Sequence, residues 1–139
     1  MLVEKWPCTS NMNNIENEIS HKIIGAAIEV HRILGGPGLL ESIYEEALCH
    51  ELALRGLRCA RQVSIPVIYK GSFIKDPLYI DILVEDKVLV EVKATELDHP
   101  ISRIQTLTYL KVSRLRLGLL INFGKEQLKD GIIRIVNGL

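Results

Sequence analysis

The sequence predicts an α/β fold in which helices flank one mixed sheet. Two observations carry this. Apolar residues recur at helical spacing from Ile15 to Leu54, and after Gly56 the period changes to two. A further helical segment, opened by Pro100, then stands between strand segments, giving the order α-α-β-β-β-α-β-β. The chain has 139 residues, 47% of them apolar, which suits one compact domain with a real core.

Residues 1–12 are polar and Asn-rich without periodicity, and read as a loose segment preceding a single domain over 13–139. Ile15, Ile19, Ile23, Ala27, Val30 and Leu34 then mark the first helix. Asn13 or Asn14 can cap it, and Glu16 and Glu18 suit its first turn. Gly35-Gly36-Pro37-Gly38 stops it. A second helix runs from about Leu39 to Arg55, with Gly56 as its C-cap. Glu51 falls within the apolar stripe of this helix, where an ion pair with an arginine is the simplest reading.

Val63, Ile65, Val67 and Tyr69 alternate as a strand, and Pro66 within it points to a sheet edge or a bulge. Strands over Leu78–Val84 and Val88–Ala94 flank Glu85-Asp86-Lys87. A helix runs from Pro100 to about Val112. Leu115–Phe123 reads as a buried central strand and Ile132–Val136 as a short last one.

No apolar run reaches the roughly 18 residues a membrane helix needs. The segment Met1–Pro7 lacks the basic start and apolar stretch of a secretory signal, so a cytoplasmic location is expected. Cys8, Cys49 and Cys59 are odd in number and lack CxxC spacing, so neither zinc ligation nor a disulfide is expected. The net charge is +0. From His99 onward there are seven Lys/Arg against two Asp/Glu, so the first part of the chain carries the acidic balance. An acidic site beside a basic rim would look like this, as would ordinary solvated surface.

The chemistry concentrates on the 78–94 hairpin. Glu91 and Lys93 interrupt Val88-Leu89-Val90-Glu91-Val92-Lys93-Ala94 and point to one face, two residues apart. Charges in such a segment cost free energy unless paired or bound. Asp81 interrupts the preceding strand between Ile80 and Ile82. A three-residue loop Glu85-Asp86-Lys87 sets Val84 opposite Val88 and Asp81 opposite Glu91, whereas a two-residue loop would put Asp81 on the other face. Facing carboxylates repel unless a divalent cation lies between them, and a few hard oxygens with room for water suit Mg²⁺ or Mn²⁺. Asp81 and Glu91 then hold the metal, with the Val92 carbonyl as an extra ligand. Lys93 positions or deprotonates the attacking water, or stabilises the transition state as a cation. Gln105 and Tyr109 lie one turn apart on the next helix and can flank the site. Glu41, at the edge of the second helix's apolar face, is a candidate third carboxylate. Its alternative role is interaction with the helix N-terminus.

Asp81…Glu91-Val92-Lys93 followed by Gln105-x-x-x-Tyr109 resembles the PD-(D/E)XK nuclease superfamily, in its QxxxY-bearing, exonuclease-like branch. Gly38-Leu39-Leu40-Glu41-Ser42-Ile43-Tyr44 looks like the signature of the small GxxExxY proteins, and Leu117–Gly124 and Lys129–Ile132 are similar to that family too. The resemblance spans roughly residues 15–138, though Pro77 stands four residues before Asp81 and forms no literal Pro-Asp.

The resemblance implies a restriction-endonuclease-like α-β-β-β-α-β core with a mixed sheet, an extra N-terminal helix and a C-terminal strand. It implies Mg²⁺-dependent phosphodiester hydrolysis of nucleic acid, with DNA favoured over RNA. By position, Glu41, Asp81, Glu91, Lys93 and Gln105 match its catalytic residues. Tyr44, Tyr109, Arg103 and Lys111 are candidates for substrate contact or support. A homodimer is compatible with it. Two readings compete: a non-catalytic nucleic-acid- or protein-binding module that keeps the fold, and a structural dimer in which Asp81, Glu91 and Lys93 form a salt-bridge cluster.

Overall fold

A computed structural model describes residues 14–139, so the expected loose segment 1–12 lies outside the described residues. Helix α1 spans Ile15–Ile33 and begins where the Asn14 side chain accepts a hydrogen bond from the Asn17 N–H at 3.2 Å. Helix α2 spans Glu41–Leu54 and ends ahead of Gly56, whose φ of +83° is readily reached only without a Cβ. Glu51 accepts from Arg55 at 2.8 Å one turn on, so its charge is paired.

Five strands form the main sheet in the order β1-β4-β5-β6-β7: β1 Cys59–Ile65, β4 Leu78–Val84, β5 Val88–Lys93, β6 Leu117–Asn122 and β7 Ile132–Val136. Pairing is antiparallel except β5 with β6, which helix α3 (Pro100–Ser113) connects in parallel. The sheet is therefore mixed, with β6 wholly buried inside it. The strand expected through Tyr69 stops at Ile65, on the sheet edge, as Pro66 requires. Ile68–Tyr69 (β2) and Ser72–Phe73 (β3) form a separate small hairpin.

Each face of the sheet has its own core. Ile82, Val84, Val88, Val90 and Val92 pack under α1 and α2. Ile80, Leu89, Leu120 and Ile135 pack with Leu110 under α3. The α3 side comes close at Gly118, where a Cβ would meet the Thr106 and Leu110 side chains at 3.3–3.4 Å.

One step of the sheet breaks the alternation. Ile80 and Ile82, two apart on β4, belong to opposite cores. On β1, Cys59 packs on the α2 side while Val63 and Ile65 pack on the α3 side. The β1–β4 ladder keeps register on both sides of the Gln62–Asp81 step but forms no pair there, and Gln62 has φ +50°. Both strands exchange faces at that step, although regular pleating would keep alternate residues on one face.

The cysteine expectation is corrected. Cys49 of α2 and Cys59 at the start of β1 form a disulfide, with a Cα–Cα distance of 5.7 Å. The turn at Gly56 folds β1 back along the helix and brings together two thiols that spacing rules leave unpaired.

Candidate active site

The turn Glu85-Asp86-Lys87 has φ +53° and +55° at its first two residues, and Val84 pairs with Val88, as an odd-length loop requires. The β4–β5 ladder stops at Ile82–Val90, so Asp81 and Glu91 come where the strands part. There the Asp81 carboxylate replaces a ladder bond: its Oδ2 accepts from the Val92 N–H at 2.9 Å. The N–H and C=O of one strand residue project to the same side, so the Val92 carbonyl also faces this gap.

Glu91 is only 6% exposed. Its Oε1 is buried and has no hydrogen-bond partner among the described residues. Burial and the neighbouring Asp81 charge push its pKa up to about 8, against smaller opposing effects from the Asp81 backbone and the Lys93 charge. An unmet carboxylate oxygen in such a place calls for a proton or a cation. Two adjacent carboxylates plus waters are a donor set that fits Mg²⁺, which keeps several waters and needs few protein ligands. Among the described residues no group of three or more His, Cys, Asp or Glu side chains could hold a metal. The fit therefore rests on Asp81 and Glu91.

Glu41 is not among the buried carboxylates. It is exposed at the first residue of α2, where its charge suits the helix N-terminus. The buried acid is Glu45, one turn further along. Gln62 Nε2 donates to Glu45 Oε1 at 3.0 Å and to Asp81 Oδ1 at 3.4 Å, and Arg61 Nε pairs with Glu45 Oε1 at 3.2 Å. Sequence reasoning missed both Glu45 and Gln62. The signal for Glu45 was its place in the stripe it shares with Leu48 and Leu52.

Lys93 lines a cavity of about 190 Å³ beneath the N-terminus of α3. Glu91 pairs with Leu120 and Lys93 with Asn122, and both partners line that cavity, so it opens one register step from Glu91. No ion pair joins Lys93 to Asp81 or Glu91 among the described residues. Arg103 stands at the cavity wall. Asn122 ties the loop there. Its Oδ1 accepts from the Thr95 and Gly124 N–H groups, and its Nδ2 donates to the Thr95 carbonyl and to Asp98 Oδ1. The Asn122 bond, with help from Lys125, holds the Asp98 carboxyl below its usual pKa.

The remaining candidates separate. Gln105 is exposed and donates to Tyr109 Oη at 3.2 Å, so that pair forms, and no hydrogen bond links Gln105 to Asp81 or Glu91 among the described residues. Tyr44 is turned into the interior. It is fully buried, donates to the Gly36 carbonyl at 2.7 Å, accepts from the Leu39 N–H and stacks on Phe123 at 4.6 Å. Lys111 lines a different concavity with Ile65–Ile68, about 12 Å along α3 from Arg103 at 1.5 Å per residue.

Among the described residues no helix is long and apolar enough to cross a membrane. Comparison with solved structures finds the "Crystal structure of SSO0001" at 15% identity and TM-score 0.45, covering 87% of this chain and 79% of that one. No curated protein matches. The model of the PD-(D/E)XK nuclease superfamily matches residues 17–135. With most of its length under that match and a mixed five-stranded sheet flanked by helices, the chain belongs to the PD-(D/E)XK nuclease superfamily.

Proposed function

We propose that this single-domain chain is a divalent-metal-dependent nuclease, of the GxxExxY kind within the exonuclease-like branch, hydrolysing phosphodiester bonds with DNA favoured over RNA. The observation that carries this is the buried, unpartnered Glu91 Oε1 beside Asp81, at the point where β4 and β5 part. Asp81 and Glu91 hold Mg²⁺ or Mn²⁺, with the Val92 carbonyl as a further ligand. Bound there, the cation neutralises charge on the phosphate and makes a water more acidic. Lys93 orients or deprotonates the attacking water, or meets the charge that develops on the phosphate. Glu45 and Gln62 act as positioning residues, because Gln62 fixes Asp81 from the α2 side.

A salt-bridge cluster explains the site less well, since Lys93 pairs with neither carboxylate among the described residues. A dead binding module would have no need to keep an unmet buried carboxylate, which lowers stability without returning anything. The test is a Mn²⁺-supplemented cleavage screen over single- and double-stranded DNA and RNA. Cleavage lost in Lys93→Ala and Asp81→Ala supports the reading. Cleavage that survives in both variants, or no cleavage of any substrate by the unaltered chain, overturns it.

A further inference from the structure

The cavity beneath α3 has a chemistry of its own. Ser102 is 8% exposed and lines it, and among the described residues no hydrogen bond engages its hydroxyl. Its backbone is already committed: the N–H donates to His99 and the carbonyl accepts from Thr106. The hydroxyl of this cavity-lining residue is thus left able to donate.

Helix α3 spans 14 residues, has no side-chain cap at His99 and carries no acidic residue in its first turn. Pro100 removes one orphan N–H, and the positive end of the helix dipole remains. Lys93 and Arg103 add two cationic side chains from the sheet and the helix. The one carboxylate lining the cavity, Asp98, is bound to Asn122 at 3.0 Å and to Lys125 at 3.3 Å. A volume of about 190 Å³ admits an oxyanion with several waters, at about 30 Å³ per water.

We infer that this cavity is a phosphate subsite, in which Ser102, Arg103 and the α3 N-terminus hold a non-scissile phosphate of the substrate strand next to Lys93. That the phosphate belongs to a nucleic acid rests on the nuclease reading; that the cavity takes a phosphate does not. The group is either an internal diester or a terminal monoester. The two share the chemistry of the subsite, and the substrate's end groups separate them.

The test uses the full chain without metal, in EDTA, so it needs no cleavage. Inorganic phosphate, followed by amide NMR, should produce saturable shifts at Ile101, Ser102 and Arg103. Ser102→Ala should weaken binding by about threefold and the exposed Arg103→Gln by about tenfold. Lys22→Ala, on α1 across the sheet, should bind as the unaltered chain does. Tighter binding of a 5′- or 3′-phosphorylated oligonucleotide than of its hydroxyl-ended twin identifies a terminal monoester. Equal binding of all three, still weakened by Arg103→Gln, identifies an internal diester. Shifts confined to other residues, no saturation, or unchanged binding in both Ser102→Ala and Arg103→Gln overturn the subsite. Phosphate binding by a chain that cleaves nothing would keep the subsite and sink the nuclease.

Discussion

Gln62 and Asp81 face one another across β1 and β4 at the one step of that ladder where no pair forms, and their side chains meet there at 3.4 Å. The same amide reaches Glu45 on α2 at 3.0 Å. A residue in left-handed backbone thus links a helix to the aspartate at the mouth of the hairpin.

Replacing Gln62 tests that link. Gln62→Ala loses hydrogen bonds to two carboxylates and keeps the unfavourable φ, so it should cost about 1–3 kcal/mol in urea denaturation. Gln62→Gly loses the same bonds but accepts the positive φ, and should cost less than Ala. In both, cleavage per folded molecule should fall because Asp81 is no longer held from the α2 side.

The raised pKa of Glu91 sets a pH dependence. The folded value is about 8 and the unfolded one 4.5, so between them the native state holds a proton that the unfolded chain has released. Stability of the metal-free chain is therefore fully present below about pH 4.5 and lost as pH rises through about 8. Glu91→Gln should remove this slope and stabilise the metal-free chain at about pH 9, by an amount on the order of a few kcal/mol. Thermal melts in EDTA across that range check the sign, and added Mg²⁺ should stabilise only the unaltered chain.

Asn122 closes the loop between β5 and α3 with four hydrogen bonds, three to Thr95 and one to Asp98, and its Oδ1 also accepts from the Gly124 N–H. Asn122→Ala should destabilise by about 2–4 kcal/mol, since it strands backbone groups of Thr95 and Gly124. Proteolysis within residues 94–99 should rise in parallel, and the Asp98 carboxyl should titrate nearer its ordinary value by NMR.

Tyr44→Phe separates support from chemistry. It removes the Gly36 and Leu39 bonds while keeping the stack on Phe123. A loss of about 1–2 kcal/mol with unchanged cleavage per folded molecule is expected. A drop in cleavage without a drop in stability would return Tyr44 to the substrate contacts.

The disulfide is measurable in the same way. Reducing Cys49–Cys59, or replacing both with Ser, should lower stability by roughly 2–3 kcal/mol for so short a loop.

The hairpin register was legible because it follows from counting: a loop of Glu85-Asp86-Lys87 admits one phase of β4 against β5. Helix α1 was legible because Ile19, Ile23, Ala27 and Val30 meet the core at successive turns, and β7 because its apolar run ends in the buried Ile135 and Val136. Glu41 and Glu45 were not separable, because residues one turn apart share a helix face and only depth distinguishes them. The face exchange at Gln62 was invisible because no residue type announces it: Gln in left-handed backbone is uncommon. Arg134, buried in β7 and donating to Asn17 of α1, looked from sequence like part of a basic rim. Its partner lies 117 residues away, beyond the reach of any local pattern.

The broken step also governs how copies of this molecule can meet. β1 is an edge strand, and an edge invites a neighbouring chain to extend the sheet. Here the invitation is interrupted at the strand's midpoint. An incoming strand would find Cys59–Arg61 and then Val63–Ile65 in register, with Gln62 twisted out between them. The row of free N–H and C=O groups that such a strand would need is broken at that residue. The distortion that anchors the aspartate thus also guards the chain against fibrous stacking along that edge.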